Sequence, residues 1–338
     1  MELQGTPPRP ADKEKHRNAE TSKYDYVKVR VRLGGHYYVL SRFLLSRILC
    51  ASGVGSTQAQ QISLELKKSL VDRGNLELTQ SSLEAQLFEL MERRGAAAEC
   101  RERFRRVTEM RHQRMPLIVL VTGGRCVGKS TLALQLAERL NLTSVVQTDL
   151  LYELLLDSGG GAGGGARGAG AGAASFPAWL GEAGAADPLP RYRAECSAMM
   201  DAVSADVAKA AEDGKPLVME GFHADACVFR DRLAALLAQS VQRDGSEHSP
   251  VVIHFVLTLP ESEADQIFQR VLAVRYGLAP GTERYDRARE QLKAVERANV
   301  DSGASRGSTT VVVDLHSHST TDAMHETVLA RLKEEGFR

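Results

Sequence analysis

From residue 116 onward the sequence predicts an α/β fold, a doubly wound parallel sheet of five strands with helices on both faces, preceded by a small α+β module. Two observations predict the α/β region. Short apolar runs alternate there with helix-like segments, and a glycine-rich stretch joins the first run to the first helix. A third observation predicts the module, because apolar and basic residues alternate from Val27 to Leu33 before a Gly34-Gly35 turn.

The module spans residues 24–96 and combines a hairpin with three helices. Residues 1–23 mix charged and proline residues without the pattern of a signal peptide, and we expect a disordered tail. The predicted elements are a strand from Val27 to Leu33, a return strand from His36 to Leu40, a helix capped by Ser41, a helix from about Gln58 to Arg73, and a helix opened by a capping box from Ser81 to Glu84.

Basic residues mark two places before the α/β region. On the hairpin, Lys28, Arg30 and Arg32 could meet phosphates or could line the solvent side of a strand. Residues 97–115 form a predicted connecting helix that is rich in arginine. A solvated face is the favoured interpretation of that helix, since charge runs usually mean no more than this.

The α/β region, residues 116–338, holds five apolar strand candidates separated by helical segments. An insert over residues 158–175, nearly pure glycine and alanine, offers little apolar area to bury, and we expect a flexible loop. The predicted strands are Leu117 to Val121, Ser144 to Gln147, Pro216 to Met219, Val251 to Leu257 and Thr310 to Asp314; a capping box from Thr258 to Glu261 opens a later helix.

The bulk composition excludes several classes of function. Lysine and arginine number 43, the same as aspartate and glutamate, so no global field favours nucleic acid or an anionic membrane. The five cysteines are scattered without metal-site or disulfide spacing, which indicates a reducing compartment. Apolar runs stay well short of the roughly 20 residues of a membrane span. We therefore expect a cytoplasmic protein without nucleic-acid or membrane partners.

The glycine-rich stretch, Gly123 to Ser130, fits the phosphate-binding pattern G-x-x-x-x-G-K-[ST], with a strand before it and a helix after it. Backbone N–H groups of such a loop close around a polyphosphate at the positive end of the following helix. We expect Lys129 to reach the β- and γ-phosphates of ATP and Ser130 to hold Mg²⁺. The predicted nucleotide contacts are Gly123, Gly124, Arg125, Cys126, Val127, Gly128, Lys129, Ser130 and Thr131.

Three polar residues follow the carboxyl ends of predicted strands, where open α/β sheets bind their ligands. Asp149 could orient or deprotonate an acceptor hydroxyl, or could cap the next helix. Glu220 closes an apolar strand, so it could hold Mg²⁺ or position the acceptor; a buried structural glutamate is the weaker alternative. His223 is a candidate acceptor contact, although most such histidines are satisfied loop residues.

Arginines around the late glycine-containing turn, Gly277 to Gly281, predict a lid. Cations on a lid neutralise the charge of a transferred phosphoryl group and exclude water, although a solvated amphipathic helix explains any single one of them. The predicted catalytic residues here are Arg270 and Arg275, and further acceptor candidates are Arg284 and Lys293.

With these residues in view, the sequence resembles the 2-phosphoglycerate kinases of archaea and their plant relatives, the low-phytic-acid-type P-loop proteins. The resemblance rests on the loop from Val121 to Thr131, on Gln147 to Asp149, on Met219 to His223 and on Arg42 to Arg47. It implies a P-loop NTPase domain of nucleoside-kinase-like topology after a regulatory, ATP-cone-like module. It also implies that Lys129 and Ser130 serve ATP and magnesium, and that Asp149 and Glu220 lie near the acceptor.

The acceptor implied by the resemblance is 2-phosphoglycerate, a small anion, or in the plant branch a compound of inositol phosphate metabolism. Three residues depart from the family pattern, namely Arg125, Lys293 and Glu296. Two functions are therefore carried forward: a Mg²⁺- and ATP-dependent small-molecule kinase, and an ATP-binding regulatory protein without useful phosphoryl transfer.

Overall fold

The structure, a computed structural model, describes residues 23–142, 145–157, 177, 179–181, 187–244, 250–314, 317 and 319–334. The chain divides into two compact units, residues 1–101 and 102–338. The predicted tail, apart from its last residue, and the predicted glycine-alanine insert lie outside the described residues. Within the described residues, no helix is both long enough and apolar enough to cross a membrane.

The first unit contains a three-stranded sheet packed against helices. Strand order is β2-β1-β3, with β1 antiparallel to β2 and parallel to β3. The core of this unit is filled by Val29 and Val31 together with leucine, isoleucine and methionine side chains of the helices. The elements are α1 (Lys23–Tyr26), β1 (Arg30–Leu33), β2 (His36–Val39), α2 (Arg42–Ala51), α3 (Ser56–Asp72), β3 (Glu77–Thr79) and α4 (Gln80–Arg93).

Two details of this unit differ from the sequence prediction. The short strand β3 was not predicted, because three residues carry no readable alternation. Ser41 caps α2 as predicted, since its hydroxyl accepts the N–H of Leu44. The predicted cap of α4 was wrong: Thr79 is the N-cap, its extended backbone at the end of β3 letting its hydroxyl accept the N–H of Ser82.

Two arginines of this unit are paired with acids. Arg42 makes a bidentate contact with Asp25, at 2.6 and 2.9 Å. Arg32 donates to Glu77 on the neighbouring strand at 2.6 Å. The likeness of the unit to an ATP-cone stays a prediction.

The second unit contains the predicted five-stranded parallel sheet, which is confirmed. Its strand order is β5-β6-β4-β7-β8, and every neighbouring pair is parallel. The elements are α5 (Ala98–His112), which begins just before the unit boundary, β4 (Leu117–Gly123), α6 (Lys129–Arg139), β5 (Val145–Gln147), α7 (Thr148–Asp157), α8 (Leu189–Glu212), β6 (Leu217–Glu220), α9 (Ala226–Asp244), β7 (Val251–Thr258), α10 (Glu261–Arg270), α11 (Glu283–Ser305), β8 (Thr309–Val312) and α12 (Ser319–Glu334).

The central strand β4 is buried on both faces, as a parallel strand between helix layers must be. Ile118 and Leu120 enter a core formed with the apolar faces of α8, α9 and α11. Leu117, Val119 and Val121 enter a second core with α6 and α12. Because both faces are covered, the end of β4 holds the glycine-rich loop in a fixed position at the carboxyl edge of the sheet.

Helix α5 has a buried apolar face in addition to the arginine-rich face that the sequence predicted to be solvated. Phe104, Val107 and Met110 are buried at helical spacing along one face. Met110 joins the core beneath β4. The arginines occupy the remaining faces, where Arg103 pairs with Glu326 of α12 at 2.7 Å.

Helix α10 also differs from its prediction at both ends. The predicted capping box is wrong, because Thr258 still belongs to β7 and Pro260 is the N-cap, without a side-chain hydrogen bond. The α-helix stops at Arg270 and continues as a π-helical turn, Val271–Arg275. Such a turn shifts the register of the residues after it, so Tyr276 faces inward and is 9% exposed.

Candidate active site

The loop between β4 and α6 has the backbone of a phosphate-binding turn. Gly128 is the N-cap of α6 and has φ 88°, a left-handed conformation that glycine adopts without a Cβ penalty. Cys126 is also left-handed, with φ 61°. Alternation of this kind turns successive N–H groups toward one concave side, next to the positive end of α6. The arrangement suits a polyphosphate.

Lys129 lies inside this loop. Its side chain is only 5% exposed, and its amino group donates to the carbonyl oxygen of Gly124 at 3.0 Å. Burial lowers the pKa of Lys129, and the nearby carboxylate of Asp149, 3.9 Å away, opposes this shift. The lysine therefore needs an anionic partner to compensate for its burial.

Glu220, the last residue of β6, lies beside Ser130 at the start of α6. The Ser130 side chain hydrogen-bonds the Glu220 carboxyl group, which is 1% exposed. Burial raises the pKa of Glu220, and its Oε2 atom has no hydrogen-bond partner. A hydroxyl beside a buried carboxylate with a free oxygen fits Mg²⁺, which uses few protein ligands together with water and phosphate oxygens. No group of three or more metal-ligating side chains occurs in the described chain.

Asp149 is the second residue of α7, not its N-cap as one alternative proposed, because the helix already begins at Thr148. Its Oδ1 atom accepts the N–H of Phe222 at 2.8 Å. Burial raises the pKa of Asp149, but the charges of Lys129 and Arg125 outweigh it, and the pKa lies below its usual value. The carboxyl group is thus ionised at neutral pH and suited to orienting a hydroxyl.

Gly221 permits this approach of the two strand ends. A Cβ atom at residue 221 would lie 1.9 Å from the Thr148 hydroxyl oxygen, and φ is 152°. Any side chain would separate α7 from the end of β6. The glycine is thus required by the contact that brings Asp149 to Phe222.

His223 belongs to a cluster that the sequence analysis did not identify. Its Nε2 atom contacts Glu195 Oε2 at 3.2 Å, and its ring lies against that of Tyr152, tilted by 30° with a centroid distance of 4.2 Å. Glu195 also accepts from the Tyr152 hydroxyl at 2.9 Å and from the Trp179 indole at 3.1 Å. Since the carboxylate can only accept, Nε2 is the donor and Glu195 fixes the orientation of the ring.

Arg125 occupies the third position of the loop, and its side chain is not directed along the loop. It is 7% exposed, with its guanidinium over the ring of Phe222 at 4.7 Å and over that of Tyr276 at 5.7 Å. Its Nε atom is buried without a hydrogen-bond partner. The departure from the family pattern thus inserts a cation between two aromatic rings.

The predicted lid residues are largely engaged in contacts of their own. Asp265 of α10 holds both Arg289 and Lys293 of α11 at 2.8 Å. The aliphatic part of Arg284 packs against Gly181, where a Cβ atom would lie 2.9 Å from its Cγ. Arg270 is exposed, and the backbone of Arg275 ends the π-helical turn. Arg289 and Lys293 are thus engaged with Asp265, and the role of these residues as a lid stays a prediction.

Glu296 of α11 is an acidic group close to the loop backbone at Gly124. A Cβ atom at Gly124 would lie 2.6 Å from Glu296 Oε1. Burial raises the pKa of Glu296, while the charges of Lys129 and Lys293 lower it. This second departure places a carboxyl group where a nucleotide phosphate would approach.

Comparison with known proteins finds curated relatives named 2-phosphoglycerate kinase. A protein of Pyrococcus horikoshii is 27% identical over 186 residues, 54% of this chain and 60% of the relative. One of Pyrococcus furiosus is 26% identical over 58% of this chain and 65% of the relative, and one of Methanopyrus kandleri is 33% identical over 43% of each. The resemblance to 2-phosphoglycerate kinases is confirmed. No family model matches the chain.

The matched region spans about three fifths of the length of the 2-phosphoglycerate kinases from the two Pyrococcus species. Among solved structures, a gluconokinase of Sinorhizobium meliloti matches 65% of this chain and 93% of its own, at 16% identity and a TM-score of 0.34. A tRNA isopentenylpyrophosphate transferase of Bacillus halodurans matches with a TM-score of 0.33 and 15% identity, over 65% of this chain and 98% of its own. The α/β architecture is established by the strand order and the loop described above.

Proposed function

We propose that this protein is a kinase that transfers the γ-phosphoryl group of ATP to 2-phosphoglycerate, forming 2,3-bisphosphoglycerate and ADP. One observation carries the proposal: the lysine of the phosphate loop and an ionised carboxylate at the start of α7 lie 3.9 Å apart, Lys129 Nζ to Asp149 Oδ2. A donor phosphate bound by Lys129 would therefore lie next to a group that can orient an acceptor hydroxyl.

The donor half of the site is supplied by the loop. Backbone N–H groups from Gly123 to Thr131 would surround the phosphates, and Lys129 would exchange its contact with the Gly124 carbonyl for phosphate oxygens. Ser130 and Glu220 would hold Mg²⁺, which when bound neutralises charge on the phosphates. Catalysis of this kind consists mainly of positioning and charge stabilisation.

The acceptor half is organised by Asp149. Its Oδ1 atom is already occupied by the Phe222 amide, which fixes the carboxylate and leaves Oδ2 toward Lys129. The acceptor oxygen attacks the γ-phosphorus as the bond to the β,γ-bridging oxygen breaks. ADP keeps that oxygen, and the hydroxyl proton passes to Asp149 or to solvent. The low pKa of Asp149 favours an orienting role over early proton removal.

The named acceptor is supported by the relatives, all called 2-phosphoglycerate kinase. The test is ADP release with a panel of acceptors that includes 2-phosphoglycerate, 3-phosphoglycerate, glycerate and myo-inositol. We expect 2-phosphoglycerate to stimulate ADP release most. An inositol as the best substrate would instead indicate the plant-type acceptor.

The role of the loop lysine is tested with Lys129→Met, a variant that keeps the approximate volume of the side chain but removes its charge. We expect a loss of several powers of ten in rate, because the main charge contact to the transferred group disappears. Near-normal ADP release from this variant would contradict the assignment of the loop.

A second candidate function is an ATP-binding regulatory protein without transfer. It is favoured by the departure at Glu296, whose carboxyl group lies against the loop backbone at Gly124. When ionised, this group would oppose the negative charge that gathers on the phosphoryl group during transfer. ATP binding without acceptor-stimulated ADP release would support this candidate and refute the kinase.

A further inference from the structure

Arg125 is built into the nucleotide loop, yet its side chain leaves the loop. The guanidinium lies over Phe222, the second residue after β6, and over Tyr276, the first residue after the π-helical turn. Lys129 and Ser130, by contrast, stay within the loop and at the start of α6. The backbone of Arg125 can thus bind the donor phosphates while its side chain is available to a different ligand group.

A buried guanidinium normally has hydrogen-bond partners. That of Arg125 is 7% exposed and makes no hydrogen bond or ion pair within the described residues, and its Nε atom is fully enclosed. Aromatic faces offset part of the cost of burying a cation, but they accept none of its five N–H donors. An unsatisfied buried donor of this kind points to an oxyanion that the protein binds.

A second buried polar atom without a partner among the described residues is Nδ1 of His223, whose ring contacts that of Phe222. His223 is 0% exposed, its ring meets Phe222 edge-on at a centroid distance of 5.2 Å, and its Nδ1 atom has no partner in the described structure. Glu195 holds the opposite nitrogen, so the ring cannot turn Nδ1 away. That atom lies 3.9 Å from Asp149 Oδ1, on the acceptor side of the site.

We propose that Arg125 forms an oxyanion subsite that binds the charged group the acceptor already carries. The Nδ1 atom of His223 accepts a hydrogen bond from the acceptor's hydroxyl beside Asp149, because the ring proton is on Nε2. Phe222 joins the two, with Arg125 over its face and His223 at its edge. The subsite deepens the proposed kinase function and rests on it. It takes a planar carboxylate or a phosphate, both of which match the guanidinium fork. Arg125 is then a specificity-determining residue of the acceptor, although its position in the sequence belongs to the donor loop.

Equilibrium binding tests this subsite without turnover. Trp179 is the only tryptophan of the chain and donates to Glu195, so its fluorescence reports on the cluster around His223. The probes are 2-phosphoglycerate, glycerol 2-phosphate, glycerate and uncharged glycerol, each added to protein saturated with ADP. Calorimetry provides a second measurement on the same samples. The phosphate-only and carboxylate-only probes separate the two kinds of oxyanion.

We expect one or more charged probes to bind, and Arg125→Gln to weaken that binding at least about tenfold, the size expected for one charge-assisted hydrogen-bonding group. Affinity for a non-hydrolysable ATP analogue should change less than about twofold. Arg125→Lys should recover part of the binding, since it restores the charge but not the fork. The control is Arg331→Gln on α12, whose side chain is 44% exposed.

Three binding results would overturn the subsite. They are that no charged probe binds the wild-type protein, that Arg125→Gln binds the probes as well as the wild type, or that Arg125→Gln loses the ATP analogue to the same extent. Melting curves of both variants verify that each is folded. Arginine-dependent probe binding without any ADP release would refute the kinase and leave the subsite standing. Normal ADP release and normal acceptor KM in Arg125→Gln would refute the subsite alone.

Discussion

The carboxyl group of Glu220 is buried beside Ser130, and one of its oxygens has no partner in the described structure. Burial raises its pKa above that of the unfolded chain, so the folded state favours the protonated form. The contribution to stability is then largest at low pH and declines as pH rises through the folded pKa. A metal ligand, however, must be ionised.

Glu220→Gln should therefore separate stability from function. We expect the variant to melt at a higher temperature than the wild type when neither nucleotide nor Mg²⁺ is added. The margin should grow as pH rises above about 4.5, the ordinary pKa of glutamate, and level off above the raised folded pKa. Magnesium-dependent ADP release should fall by orders of magnitude. Melting curves at several pH values and a magnesium titration of activity measure the two effects. A variant less stable than the wild type at pH 8 would contradict this account of the buried carboxyl group.

His254 gives the molecule a second, purely structural pH dependence. It lies within β7, its Nδ1 atom contacts the Ser308 hydroxyl at 2.9 Å, and burial lowers its pKa to about 3. In the unfolded chain this histidine takes up a proton near pH 6.5, but in the folded state it does so only near pH 3. The free energy of unfolding is therefore highest above pH 6.5 and declines as pH falls below it. Lowering pH from 7.5 to 5.5 should cost about 1.4 kcal/mol through this residue.

The measurement is urea unfolding of the wild type and of His254→Gln across that pH range. The glutamine does not titrate, so its free energy of unfolding should decline less steeply than that of the wild type. Parallel curves for the two proteins would exclude His254 as the source of the pH dependence.

Sequence reasoning identified the site residues that carry a motif. Lys129 and Ser130 follow from the loop pattern, and Asp149 and Glu220 from their places after apolar runs. Sequence reasoning did not identify Glu195, Tyr152 and Trp179. These residues come from three separate segments and meet only through hydrogen bonds to the Glu195 carboxylate. No spacing along the chain encodes that convergence.

At the scale of the elements, α10 and α11 are joined through one acid. Asp265 on α10 bonds both Arg289 and Lys293 on α11, and these two contacts lower its pKa to about 2. The link therefore stays ionised at every pH where the protein would be assayed. Lys293 also acts on Glu296, the carboxyl group that faces the loop.

Asp265→Asn should release Lys293 toward Glu296 and thereby reduce the repulsion of a nucleotide. We expect ATP to bind about two- to fivefold more tightly at low salt, with the gain shrinking at high salt as screening increases. The melting temperature should change little, because these side chains are only partly buried and the ion pairs lie at the surface. Titrations at two ionic strengths measure the effect. Asp322→Asn, which removes a comparable surface pair with Arg139, is the control, and equal shifts in both variants would refute the link.

The elements also show where periodicity stops being informative. Long buried strands such as β4 and β7 were predicted nearly to their ends, because a continuous apolar run of that length, bounded by turn residues, is typical of a strand covered on both faces. The π-helical turn after α10 was not predicted, because no residue in it signals the change of register. The contact between Tyr276 and Arg125 therefore could not be predicted from the sequence.

At the scale of the whole molecule, the two units predict where the chain can be divided. Residues 102–338 include most of α5, and Met110 of that helix lies in the core beneath β4. A fragment that starts at Ala98 should unfold cooperatively and keep ATP binding. One that starts at Met115 should melt at a lower temperature, because it loses the buried face of α5.

Calorimetric melting and ATP titration of both fragments test this division. The Lys129→Met full-length protein completes the set, because any ATP site that it retains would be assigned to the first unit and to its predicted ATP-cone likeness. Equal melting temperatures for the two fragments would mean that α5 contributes nothing to the second unit.

The order of strands in the second unit has a consequence for how the chain folds. Ile118 of β4 pairs with Leu217 of β6 on one side and with Val252 of β7 on the other, and Leu257 of β7 pairs with Val311 of β8. The central strand is thus synthesised before both of its neighbours. Such distant pairings make folding slow. One edge of β4 stays open to other chains until residue 220 has left the ribosome, and the other edge until residue 258 has left it. Chaperone demand during synthesis should follow from this topology more than from the final stability of the fold.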